Sequence, residues 1–542
     1  MDAMLSKKTK LLCLLLCLMM VLPMALSACN GNDTDKPGET TAATTAGATQ
    51  AGGTSAATTA GSTQGSSAPS QEGPQVDEWL EVKDLGENGS ARLINFLSCS
   101  DTGDQPYNTK YYFIRHEEDD DVVQGDKMAE SAKTRTLYME ETFNVAFNSV
   151  GLASNSLFTT VQASLMGNGG EYDLIYPHPT IGMVNFLTSG LFQNLYSFLD
   201  EDGEQIIHLD QPWWNQEQVN QYSVEDKLYI AVNDMSICGQ GFVAMVYNRT
   251  LYNELQLSDD PYTLVYDGEW TIAKLKELAM NYGEGAGDDG VLNYEDKIGY
   301  ASSTNAYFWN MGGRVISKDD NGEFYIAIDG EHATKIGNAL YSLMWESDDK
   351  VWTIAEDKYG SYATFGTTKT LASFKAGNIL FYAYDLGGLY KHLWNAPFDV
   401  GYLPPVKLDT NQEDYYSLCN AGFFAIPQKV KDNTVSAIIL EALAIHSYTN
   451  HRVNFFDDVL LSRMSENPED FKMLNYIHET KVYDWGGNLF VDKENMSRGF
   501  VEYWALDKKD PAKIENYAKS RMRAWQTLLS NIEAIKNAEF AG

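Results

Sequence analysis

A chain of 542 residues with 75 acidic against 40 basic side chains carries a formal charge of −35. That balance argues against nucleic acid as a partner, because phosphate binding needs a Lys/Arg surface. Hydrophobic residues at 44% and aromatics at 12% are ample for large cores, in two long lobes or about three smaller domains by length.

Lys7, Lys8 and Lys10 precede an apolar run from Leu11 to Met24, and the chain turns polar after Cys29. This is the layout of a secretory signal peptide; the run falls short of the roughly 20 residues that span a bilayer. Leu26-Ser27-Ala28-Cys29 resembles the bacterial lipobox. The resemblance implies that residues 1–28 are removed and that Cys29 becomes a lipidated N-terminus on the outer face of the cell membrane. Two acyl chains anchor stably where one does so marginally. Residues 29–78 are mostly Thr, Ala, Gly, Ser and Gln, with no large apolar side chain before Val76. They are expected to form a disordered tether with a reach of about 35–42 Å. No second apolar stretch of membrane-spanning length follows, so residues 79–542 are expected to form a soluble body.

The body begins with alternating strands and helices. Leu93–Leu97 predicts a strand ending at the turn-rich Ser100–Asp104, and residues 125–142 predict a helix. Phe143–Val150 alternates as a strand does, and Leu157, Val161 and Leu165 mark one face of a helix that ends at Gly167. Tyr172–Tyr176 is the next strand, closed by Pro177-His178-Pro179. Such alternation indicates βαβ units and an α/β fold, with ligands held outside the carboxyl ends of the strands.

A second series starts at the strand-like Lys227–Val232, then Phe242–Tyr247. Thr271 is placed to cap a helix carrying Ile272, Leu275, Leu278 and Ala279 on one stripe. A turn-rich stretch from Gly283 to Asp296 leads to Ile298–Tyr300, and Asp319-Asp320-Asn321-Gly322 predicts a hairpin turn. Ile379–Tyr384, then Val400–Pro405, and Phe423–Pro427 predict further strands, Ser436–Tyr448 a buried helix, and residues 511–538 a long amphipathic one. The acidic run Glu117–Asp121 reads as a solvated loop. No HExxH or GxSxG motif is present. Of six cysteines, Cys99, Cys238 and Cys419 remain beyond Cys29; three scattered thiols form no disulfide framework and are expected to be small buried side chains.

Several segments, in order, resemble the type II extracellular solute-binding proteins of ABC importers, in particular their sugar-binding group. They are Glu171–Ile175, Asp226–Ile230 with Val246–Arg249, Gly268–Thr271, Tyr307–Trp309 with Gly312-Gly313, Phe374–Asn378 and Val400–Pro404. The chain departs from that family in having no proline among Ala231, Val232 and Asn233. The resemblance implies two α/β lobes joined at a hinge with a cleft between them, lobe 1 at about 79–232 and 407–465, lobe 2 at about 233–406 and 466–542. It implies a monomer that passes a sugar to an ABC permease, without catalysis, cofactor or metal, and that touches the membrane through its lipid alone.

A sugar has apolar C–H faces and a hydroxyl rim, so its site needs aromatic platforms and polar side chains. By position, the aromatic candidates are Tyr176, Tyr307, Trp309, Tyr384 and Trp485. The polar candidates are Asp101, His178, Asp234, Gln240, Asp385 and Asp484. Two alternatives stay open: a non-sugar cargo such as a peptide or polyamine, and a surface glycosidase, which needs two carboxylates about 5–10 Å apart.

Overall fold

The computed structural model describes residues 74–99, 113–116, 127–178, 181–239, 241–284, 295–304, 306–352, 367–393, 395–456, 467–490 and 499–540. The signal segment, Cys29, nearly all of the tether, Asp101, Gln240 and the Glu117–Asp121 run lie outside them. The described residues belong to one compact unit, Ser70–Gly542.

In the first lobe, β1 (Arg92–Cys99), β2 (Val145–Leu152) and β3 (Leu174–Tyr176) form a parallel sheet in the order β2-β1-β3. Helices α2 (Lys127–Phe143) and α3 (Ser154–Met166) pack on it, and α1 (Val76–Trp79) and α4 (Gln216–Tyr222) flank them in chain order. Leu157, Val161 and Leu165 form the buried stripe of α3, and Gly167 closes that helix. Lys227–Val232 is not the continuous strand its apolar run predicts. Val224 and Lys227 exchange backbone hydrogen bonds in a tight turn, and Ala231 alone pairs, with Phe424. Phe423–Pro427 is likewise no regular strand. Its pairings are single and go to different partners (Ala231, Ile175 and Phe192), and Pro427 has no N–H to extend a ladder.

The chain passes through a 3-10 turn, Asp234–Gly239, into the second lobe. There β4 (Gly241–Asn248), β5 (Ile298–Ser302), β8 (Val351–Trp352), β9 (Ile379–Asp385), β10 (Val400–Leu403), β11 (Ser417–Asn420) and β12 (Lys481–Val482) make a mixed sheet ordered β12-β11-β4-β9-β5-β8, with β10 also on β4. Every residue of β4 is buried, as a central strand covered on both faces requires. The hairpin β6 (Ile316–Lys318) and β7 (Phe324–Ile326) forms where Asp319–Gly322 predicts a turn; Asp319 Oδ1 accepts from the backbones of Asn321 and Glu323. Helix α5 (Ile272–Ala279) starts at Thr271, whose hydroxyl accepts from Lys274 N, and α6 (Tyr307–Asn310) and α7 (Gly330–Trp345) follow.

The chain leaves this sheet after Asn420, where β11 is hydrogen-bonded to β4. Back in the first lobe, α8 (Asn433–His446) is buried at every position from Val435 to His446. The chain then re-enters the second lobe at α9 (Pro468–Glu479), which packs on β10, and ends in α10 (Ile514–Lys536), which lies on α7 and β7 and also on the first-lobe helix Met183–Thr188. No helix among the described residues is long and apolar enough to cross a membrane.

Candidate functional site

Strand ends from both lobes converge where the chain crosses. In the first lobe β3 ends at Tyr176, whose ring fills the space beside Gly422; a Cβ there would sit 2.2 Å from Tyr176 Cζ. In the second lobe β9 ends at Asp385, opposite Val243 near the start of β4. Because β1 runs parallel to β3 and β5 parallel to β9, the carboxyl ends of all four strands lie toward the crossings. Open α/β sheets bind ligands at those ends.

Of the Tyr and Trp candidates, only Tyr384 is not fully buried. It stacks on Tyr382 (ring centroids 6.0 Å apart, 24° between planes), and the Tyr382 hydroxyl donates to Ser303 Oγ at 2.9 Å just beyond β5. Beside them Asp385 Oδ1 accepts from Gly388 N at 3.1 Å. This group sets a partly exposed aromatic ring beside polar side chains, the combination a sugar ring needs.

The remaining aromatics pack inward. Tyr176 is enclosed by Phe113 and Phe424, and burial pushes its hydroxyl pKa well up. Tyr307 meets the Tyr300 hydroxyl at 2.9 Å, and Trp309 lies against Gly487. Trp485 faces Tyr222 and Phe324, and its indole N–H donates to Gln221 O at 2.9 Å. The Asp484 carboxylate accepts from the backbones of Gly486 and Gly487 through one oxygen, and of Val315 and Ile316 through the other. Asp484 thus clamps the Trp485–Leu489 turn against the hairpin, and those bonds account for its burial without a ligand.

His178, half-buried, accepts from Ile181 N at 3.3 Å through Nδ1. Asp234 stands at the first crossing, 3.8 Å from Arg452 and 4.0 Å from His478, with Lys481 Nζ 2.9 Å from His478 Nε2. Burial raises the Asp234 carboxyl, drives His478 well below its usual value and brings the Lys481 ammonium down to about 8. Ser303, Arg452, His478 and Lys481 carry no sequence signal of their own. Each is a lone polar residue whose neighbours here lie on other segments. Cys99 and Cys419 are buried, and burial pushes the Cys419 thiol up. Among the described residues no group of three or more His, Cys, Asp or Glu side chains is arranged to hold a metal ion.

The fold these observations define is that of the two-lobed ABC substrate-binding proteins. A cyclo/maltodextrin-binding protein complexed with maltotetraose is 15% identical, with a TM-score of 0.51 over 81% of this chain and 98% of that one. The galacto-N-biose-/lacto-N-biose I-binding protein of Bifidobacterium longum, in complex with lacto-N-biose, is 10% identical, with a TM-score of 0.50 over 82% and 99%. UgpB from Mycobacterium tuberculosis, in complex with glycerophosphocholine, is 14% identical, with a TM-score of 0.50 over 74% and 96%. The second of these is described as the binding protein of an ABC transporter. No family model matches the chain, and no curated protein matches it by sequence.

Proposed function

We propose that this chain is a lipid-anchored extracellular binding protein that captures a carbohydrate between its lobes and delivers it unaltered to an ABC importer. The observation that carries the reading is the convergence of β1, β3, β5 and β9 on the crossings, with Tyr384 presented beside Ser303 and Asp385. The lipobox-like Leu26–Cys29 and the polar stretch behind it support attachment by a leash. Maltotetraose and lacto-N-biose in two structural neighbours support an oligosaccharide cargo. A ligand favours closure only by its extra contacts with the second lobe it touches. A micromolar dissociation constant needs about −8.2 kcal/mol, within reach of stacking and several hydrogen bonds.

The glycerophosphocholine bound by UgpB favours a second reading on this fold, a small non-sugar solute. Incubating residues 74–542 with a glycan panel, while following both thermal shift and product formation, separates the two and tests for turnover. A shift with glycans and no product is expected. A shift with glycerophosphodiesters or peptides alone would support the second reading, and new reducing ends would contradict both.

A further inference from the structure

A short stretch of the first lobe, residues 220–227, is held by two parts of the second and by the end of the terminal helix, which touches both lobes. The Lys318 ammonium, on the β6–β7 hairpin, donates to the carbonyl oxygens of Asn220 and Ser223, the latter at 2.7 Å, and lies over the Phe324 ring. The indole of Trp485 donates to the carbonyl between them, that of Gln221. Lys536, at the end of α10, pairs with Glu225, and its own carbonyl accepts from Lys227 Nζ at 2.7 Å. The last carbonyls of a helix have no partners within it and attract cations; here Lys318 and Trp485 serve the end of α4. Because β7 packs on α10, the hairpin and the terminal helix form one support. The grip also reaches the second crossing: the Tyr222 hydroxyl donates to Asn488 Oδ1 at 2.9 Å, and Asn488 Nδ2 donates to Cys419 O at 2.7 Å.

We propose that this grip is a clasp that sets the balance between lobe arrangements, with Lys318 and Lys536 as its releasable members. Its bonds run mostly from ammonium and indole donors to carbonyls, groups that water can serve equally well once the lobes part. It does not touch Tyr384, Ser303 or Asp385, so it acts on ligand affinity through the population of the binding-competent state alone. Such an effect multiplies every dissociation constant by one common factor.

The test uses Lys318→Met and Lys318→Met/Lys536→Met in residues 74–542, with Lys318→Arg as the variant that keeps the charge and donors. Its first arm needs no ligand. Small-angle X-ray scattering of the ligand-free variants, with circular dichroism confirming the fold, is expected to show a radius of gyration displaced from the parent, most in the double variant, and restored by arginine. The second arm rests on the carbohydrate reading: dissociation constants for two different glycans are expected to change about three- to tenfold by the same factor. Unchanged scattering from folded variants overturns the clasp. Unequal factors for the two glycans overturn it too, because they would mean contact with the ligand. Absence of glycan binding by the parent counts against the carbohydrate reading and leaves the scattering arm to decide.

Discussion

The Glu441 carboxylate on α8 is closed off from solvent and accepts from His208 through its backbone N–H and Nδ1, and from the indoles of Trp213 and Trp214. Trp79 packs edge-on against both His208 and Trp213, so the Glu441 side chain organises the N-terminal end of the described residues. Glu441→Gln leaves one acceptor oxygen for several donors and is expected to cost about 2–4 kcal/mol in urea unfolding. The hydrogen bond to Glu441 raises the His208 pKa. A histidine raised by folding contributes stability that is fully present below its unfolded pKa of about 6.5 and is lost as pH rises through the folded value. Glu441→Gln is therefore expected to flatten the pH dependence of stability in that window. Tyr384 belongs to the other kind of residue, half-buried at the margin of the core. Tyr384→Ala is expected to leave the melting temperature within a few degrees while weakening glycan binding about tenfold or more, roughly 1.4 kcal/mol, by calorimetric titration.

Helix α8 and the π-helical turn behind it, Ser447–His451, hold two histidines in the opposite condition. Burial and the nearby Arg135 guanidinium push His446 down to about 4, and His451 well below its usual value. The unfolded chain takes protons that the fold refuses, so stability falls as pH drops below about 6.5. The decline is up to about 1.4 kcal/mol per pH unit for each group, continuing toward about 4 for His446. His446→Gln is expected to make the acid limb shallower in thermal melts between those values. At the second crossing, Gly422→Ala drives a methyl into the Tyr176 ring. An overpacking cost of about 1–3 kcal/mol is expected, read from denaturant unfolding.

These elements also show what was legible in the chain. Periodicity placed the α3 stripe and the fully buried α8, because each answers to one continuous face of its own residues. Thr271 and Asp319–Gly322 were legible because caps and turns are local chemistry. The two crossing segments misled, since apolar runs at Lys227–Val232 and Phe423–Pro427 look like strands but make single pairings as they pass between lobes. At Asp484-Trp485-Gly486-Gly487 the turn could be read but not its direction. The Asp484 carboxylate reaches Val315, 169 residues away in sequence, and no local pattern encodes that. The same holds for Lys318 and Lys481.

At the scale of the whole molecule, two sheets whose carboxyl ends face the crossings fit the proposed capture of a guest between the lobes. A leash at the N-terminus would keep it at the cell surface. The most direct test is calorimetric titration of a glycan panel into residues 74–542, with scattering of each complex and chromatographic recovery of the sugar. Saturable binding of at least one oligosaccharide, a change in radius of gyration on saturation, and return of the sugar chemically intact are expected. A panel without a single binder, or a bound sugar recovered in cleaved form, would contradict the account.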